Sequence, residues 1–179
     1  NKEKVKEFLA TFKYPLYFFD FETYQDVVPK YDKTKPYQQI PFQYSLHILY
    51  EGGRLEHKEF LGDGINNPLY DIVESMIKDL SKEGSIIAYN DSFEKSRILE
   101  LSSVVEESRE ELLSFIDRFI DLAYVFQHGY CYNKAMGGSF SIARVCFWLH
   151  SVQHLCFNPV SCTVAAFVTF QGPQVCVWV

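Results

Sequence analysis

The run Leu16-Tyr17-Phe18-Phe19-Asp20-Phe21 limits what this chain can fold into more than any other segment. A continuous apolar and aromatic stretch of this length predicts a strand buried on both faces, which belongs inside a sheet. Two acids ride on its end. Asp20 and Glu22 are two residues apart, so on a strand both side chains point to one face. Two carboxylates held side by side near a dry core repel each other and lose hydration. A bound divalent cation removes both penalties, and an all-oxygen pair of this kind suits Mg²⁺ or Mn²⁺. The alternative is a strand that ends here, with both acids simply solvated.

The remaining pattern is that of an α/β domain. Residues 5–13 read as a short helix leading to Tyr14-Pro15. A polar stretch from Gln25 to Gln39, interrupted by Pro29 and Pro36, reads as a loop. Phe42 to Leu49 and Arg54 to Leu61 form a predicted hairpin about the turn Gly52-Gly53. Leu69, Ile72, Val73, Met76, Ile77 and Leu80 have helical spacing, with Pro68 near the first turn. Ser85 to Tyr89 is a short buried strand. Ser92 to Val105 is a helix with Ser92 as N-cap, and Glu106 to Arg118 is another. Phe119 to Phe126 is a last strand running into a helix. An antiparallel front half followed by strand–helix alternation predicts a mixed sheet with helices on both faces.

A second acidic motif follows the short strand, in Tyr89-Asn90-Asp91-Ser92-Phe93-Glu94-Lys95-Ser96-Arg97. Glu94 falls in the first turn of the next helix, where the N-terminal dipole favours an anion. Ligand sites in sheets of this type lie beyond the carboxyl ends of strands. Each motif alone is equally compatible with an ordinary solvated or capped terminus.

Taken together, Phe-Asp-Phe-Glu-Thr on a first strand and Tyr-Asn-x-Ser-Phe-Glu after a later one resemble the DEDD (DnaQ-like) 3′–5′ exonuclease superfamily. Within it the chain resembles most an uncharacterised bacterial domain family. The further stretches that carry this are Pro36 to Ser45, His57 to Leu61 and Gly138 to Ile142, so the likeness covers about residues 14–143. It implies a ribonuclease-H-like fold with a mixed five-stranded sheet, and a two-cation phosphodiester hydrolase domain acting on single-stranded DNA or RNA. It also implies that the domain is one module of a larger nuclease. Asp20 would bridge two cations, Glu22 would hold one, and Glu94 would act directly or through water. Thr23, Asn90 and Phe93 would lie against the substrate. A final aspartate on a late helix completes the family's tighter metal site, yet this chain has no Asp or Glu after Asp121. Catalysis is therefore expected to be lost or much reduced, leaving a nucleic-acid-binding or regulatory module as the alternative. His150 or His154 would be the stand-in ligands.

Asp121, after a strand-like segment, is expected to have a structural role near the site. Tyr24, Tyr31 and Tyr37, interspersed with Lys30, Lys33 and Lys35, suit stacking on bases and contact with phosphate, or a plain solvated loop. Glu106-Glu107 and Glu110-Glu111 are a solvated helix face.

Composition brings out one more feature. The formal net charge of −6 argues against a generic basic nucleic-acid coat, though not against a nuclease with an acidic site. All the Lys, Arg, Asp and Glu residues lie at or before Arg144, and the stretch 145–179 has none. Such a tail could be a membrane segment, a buried native element, or sequence with which this fold did not evolve. The apolar run Val160 to Phe170 is about half the ~20 residues needed to span a bilayer. The third possibility is preferred, because the charge disappears where the family likeness ends. The expected organisation is thus a leading helix or linker at 1–13, an exonuclease-like domain at 14–144 and an anomalous tail at 145–179. Cys131, Cys146, Cys156, Cys162 and Cys176 form no C-x-x-C pair. With no secretory leader visible in the sequence, the expected location is the cytoplasm.

Overall fold

The structure, a computed structural model, describes residues 1–145. In chain order its elements are α1 (Lys2–Leu9), β1 (Leu16–Tyr24), β2 (Ile40–Leu49), β3 (Leu55–Leu61), α2 (Pro68–Asp79), β4 (Ser85–Ala88), α3 (Ser92–Val104), α4 (Arg109–Ile116), β5 (Phe119–Asp121) and α5 (Tyr124–Gln127). They fall into two compact units, Lys13–Asp121 and a second made of Asn1–Phe12 with the described residues from Leu122 to Val145.

The larger unit holds one mixed sheet in the order β3-β2-β1-β4-β5. β2 runs antiparallel to β1 and β3, whereas β4 and β5 run parallel to their neighbours. The sequence pattern predicts a mixed sheet with helices, and this five-stranded one is consistent with the ribonuclease-H-like α/β fold that the resemblance implies. β1 lies at its centre, as its unbroken apolar run requires: Leu16, Tyr17, Phe18, Phe19 and Phe21 are all buried. Tyr17, Phe19 and Phe21 point into a core shared with Tyr44, Leu46 and Ile48 of β2 and with the apolar faces of α2, α3 and α4. Tyr44 is fully buried, and its hydroxyl is satisfied there, donating to Asp79 Oδ2 at 2.7 Å and lying 2.7 Å from Ser75 Oγ. Lys58 closes this polar group by donating to Asp79 Oδ1 at 3.0 Å.

The loop from α2 to β4 is pinned by one side chain. Arg118 donates to the carbonyl oxygens of Gly84 (2.9 Å), Ser81 (2.5 Å) and Glu83 (2.7 Å). Gly84 adopts φ +93, which an L side chain rarely takes, and a Cβ there would run into the Pro15 carbonyl.

Several local expectations are corrected. The first helix covers Lys2–Leu9 rather than 5–13, because Asn1 caps it by accepting from the Lys4 N–H at 3.2 Å. The segment 106–118 is not one helix: Glu106–Ser108 form a single 3₁₀ turn before α4. Ser92 is not the N-cap of α3. The cap position is Asp91, with no side-chain cap bond, while the Ser92 hydroxyl donates to Asn90 Oδ1 at 3.3 Å. Asn90 causes this shift. Its φ of +65 turns the chain one residue early, a left-handed conformation that Asn tolerates better than most residues.

In the smaller unit, the N-terminal ammonium donates to the Tyr130 carbonyl at 2.6 Å, and Phe8 of α1 stacks on Tyr124 of α5 with centroids 5.8 Å apart. No helix among the described residues is long and apolar enough to cross a membrane. The charge-free stretch lies outside the described residues from 146 onward. So do His150, His154 and the place where the family's last aspartate is expected.

Candidate metal centre

The carboxyl ends of β1, β4 and β5 bring the acidic residues into one neighbourhood. β1 continues through Glu22 and pairs with β2 at Asp20↔Ser45 and Glu22↔Gln43, so both acids lie within the strand and on one face. Asp20 is half-buried, while Glu22 is exposed. The ladder shifts register between Glu22 and Thr23, and beyond it Tyr24 packs against the apolar core. Thr23 is half-buried at this irregularity.

Glu94 comes from the first turn of α3. Its position follows from helical spacing: Glu94, Ile98, Leu101 and Val105 share one face, and all four are buried. A carboxylate therefore heads an otherwise apolar stripe. Glu94 is only 4% exposed. Its Oε2 is buried with no hydrogen-bond partner. An ionised carboxylate in such a place costs several kcal/mol unless something compensates its charge. Burial, opposed by a hydrogen bond with its own backbone and aided by the fields of Asp20, Asp91 and Asp121, accordingly pushes its acid group up to about 8. Asp20 is pushed up to about 6, first by burial and then by Glu22. The fields of Asp20, Asp91 and Asp121 thus converge on the Glu94 carboxyl, and each disfavours its ionisation.

Asp121 fixes the turn beneath Glu94. Its Oδ1 accepts from the backbone N–H of Asn90 at 2.7 Å. Phe93 packs partly buried against the core, under the Arg97 guanidinium at 5.2 Å from its ring centroid. Tyr37 is not brought to this group. It is 64% exposed and borders a depression of about 320 Å³ with Glu100, Ser103 and Val104, near the far end of α3 from Glu94. That places it roughly 9–15 Å along the helix axis. Two lysines of the same loop are not free cations: Lys30 pairs with Asp26 at 2.7 Å, and Lys33 with Glu106 at 3.0 Å.

Three further residues join this neighbourhood without belonging to either sequence motif's expected site. Asp91 faces Glu94 and forms an ion pair with Lys95 at 2.7 Å. Its signal was an extra acid directly before a helix. On the face that carries Asp20, β2 and β3 add His47 and His57, stacked with centroids 4.3 Å apart and paired across the strands. The alternation Gln43, Ser45, His47 already places these side chains on one face.

The donor set consists of hard oxygens, with one buried oxygen left without a partner, and that chemistry fits a divalent cation. Among the described residues, however, no three His, Cys, Asp or Glu side chains close around a single point as a ready-made cage. Mg²⁺ does not need one. It is usually held by one or two carboxylates, with water and substrate phosphate supplying the remaining oxygens.

Comparison with known proteins places this constellation in a family. A model described as "Domain of unknown function (DUF2779)" matches residues 17–141, which include all of Asp20, Glu22, Asn90, Glu94 and Asp121. The chain belongs to the DUF2779 family. Two similar proteins are an uncharacterized protein of Mycoplasma genitalium, 27% identical over 141 residues, and its Mycoplasma pneumoniae homolog, 28% identical over 139 residues. In both cases the match takes in 72% of this chain and 21% of the relative. The chain thus spans about a fifth of the length of the curated relatives it matches, and the DUF2779 domain accounts for most of that span.

Proposed function

We propose that this DUF2779 domain is a metal-dependent phosphodiesterase module of the 3′–5′ exonuclease type, acting on single-stranded DNA or RNA within a longer protein. One observation carries the proposal: Glu94, at the start of α3, keeps a buried carboxylate oxygen without a partner beside Asp20. A fold gains nothing from such an atom unless a cation or a proton satisfies it. The order of the Asp20/Glu22 and Asn90/Glu94 motifs, which resembles that of DEDD exonucleases, supports the choice of reaction.

Asp20 and Glu94 would hold the cation, with Glu22 as an outer carboxylate at the exposed edge. Mg²⁺ or Mn²⁺ would supply charge stabilisation for phosphoryl transfer. The chain itself contributes the rest. Asp121 holds the Asn90 turn and so sets the start of α3, while Thr23 and Phe93, next in sequence to Glu22 and Glu94, would lie against the substrate. Residues 122–179 carry no Asp or Glu, so the last aspartate that the exonuclease resemblance implies is not among them. Turnover is therefore expected to be slow. The same observation favours a second reading, a nucleic-acid-binding module that keeps the fold without the chemistry.

The test is Mn²⁺-dependent degradation of end-labelled single-stranded DNA and RNA, together with thermal melting in the presence and absence of Mn²⁺ at pH 8. The expected result is a Mn²⁺-dependent rise in melting temperature that Asp20→Ala and Glu94→Gln remove, with weak turnover at most. A melting temperature indifferent to Mn²⁺ defeats the metal centre. Fast turnover abolished by Asp20→Ala defeats the claim of impairment.

A further inference from the structure

A second site lies at the end of the same strand. Tyr24, two residues beyond Glu22, forms one wall of a pocket of about 590 Å³ whose other walls include Tyr31, Phe42, Asn66 and Ile65. Three of these side chains are aromatic. Tyr24 and Phe42 are tilted towards each other, with centroids 6.0 Å apart. The Tyr24 hydroxyl donates to the Tyr31 hydroxyl at 3.1 Å, and Tyr31 in turn donates to the Asn66 carbonyl at 3.3 Å. The rings are thus held in place by a hydrogen-bonded relay from β1 to the loop before α2. Lys30 sits at the rim, 5.5 Å from the Tyr24 centroid, tethered by Asp26. Ile65 at the mouth is 85% exposed.

We infer that this pocket receives a nucleobase of single-stranded nucleic acid. Its volume falls within the ~300–1,000 Å³ of small-ligand sites. Ordered aromatic walls with few polar groups suit a flat heterocycle that binds through its π-face. No Asp or Glu stands among the walls, and the Lys30 charge at the rim is paired with Asp26, so the pocket selects for the ring and not for phosphate. Position decides for a base on a strand rather than for an unrelated heterocycle. Tyr24 lies four residues beyond Asp20, about 13 Å along β1 and past the register shift at Glu22/Thr23, a span within the length of a short oligonucleotide. The proposal deepens the metal-centre reading and rests on it for the identity of the ligand, but binding in the pocket needs neither the cation nor turnover.

The experiment is therefore run without divalent cations. The full chain, labelled with ¹⁵N and kept in EDTA, is titrated with adenosine, with adenosine 5′-monophosphate and with ribose 5-phosphate. The expected result is saturable movement of the Gly62, Gly64 and Asn66 amide signals by the first two probes and not by the third. Tyr31→Ala should weaken binding about tenfold, whereas Tyr31→Phe, which keeps the ring, should stay within about twofold. Asp20→Ala should leave adenosine binding unchanged. Equal movement by ribose 5-phosphate would make this a phosphate site and overturn the proposal. So would the absence of adenosine-induced shifts at these amides up to about 10 mM. Loss of Mn²⁺-dependent melting or turnover, with adenosine binding intact, would instead strike the metal centre alone.

Discussion

Asp121 at the end of β5 accepts a hydrogen bond from the backbone N–H of Asn90, 2.7 Å away and 31 residues earlier in the chain. That bond ties the exit of β4 to the exit of β5 and fixes where α3 begins. The orientation of Glu94 follows from it.

Asp121→Ala should therefore cost about 1–2 kcal/mol in urea unfolding, the usual loss when a charge-assisted bond to a backbone donor is removed. Asp121→Asn keeps an accepting oxygen and should stay within about 0.5 kcal/mol of the parent. Equal loss in both variants would mean that the negative charge, rather than the accepted bond, is what the fold uses.

Stability without metal should fall as pH rises. Asp20 is pushed up to about 6 and Glu94 to about 8 in the folded protein. Both therefore bind protons more readily folded than unfolded. The stability they contribute is complete below pH about 4 and is lost as pH climbs through 6 and then 8. For Glu94 the loss is about 3–5 kcal/mol. In EDTA, melting should drop between pH 5.5 and pH 8.5, and Glu94→Gln should remove most of that drop while also removing the response to Mn²⁺. Identical pH profiles for the parent and Glu94→Gln would show that the buried carboxyl is not the source.

Gly84→Ala should be among the most damaging changes of a single atom group in the larger unit. The residue stands at φ +93, and a new Cβ would meet the Pro15 carbonyl as well as the Tyr17 ring at 3.0 Å. Pro15 directly precedes β1 and Tyr17 lies on it, so relief requires the start of β1 or of β4 to move. A loss of about 2–4 kcal/mol is expected, measured as soluble yield and urea midpoint. A midpoint shift below about 1 kcal/mol would show that the loop relaxes freely.

Arg118→Lys keeps the charge but cannot reach three carbonyls with a rigid fork. The bonds to Ser81, Glu83 and Gly84 would be broken or shared, at a cost of about 1–3 kcal/mol. Faster hydrogen exchange confined to residues 81–85 would accompany it. Uniform exchange in that loop before and after the change would deny Arg118 its role as a clamp.

Much of this was legible in order along the chain. The central strand announced itself because Leu16 to Phe21 has no polar face to give to solvent. The hairpin about Gly52-Gly53 and the helix from Pro68 followed from turn chemistry and helical spacing, which are local. Asp20 and Glu22 share a face because strand alternation is local too. Other features depend on partners far away in sequence. Lys33 looked like a cation free for phosphate until the fold set Glu106 against it, 73 residues on. Tyr37 looked like a companion of Tyr24 and Tyr31, but the positive φ values at Lys33 and Tyr37 turn that part of the loop towards the end of α3.

The sequence by itself determined the order of strands and helices and the two places where acids would leave the sheet, because periodicity and turn residues act over a few neighbouring positions. Only the tertiary structure decided that Glu94 is buried with an oxygen unpartnered, that Asp121 serves the backbone of Asn90, and that Tyr24, Tyr31 and Phe42 enclose a pocket. Burial and the summed field of several carboxylates depend on how β1, β4, β5 and α3 converge in space, and no local pattern encodes that convergence.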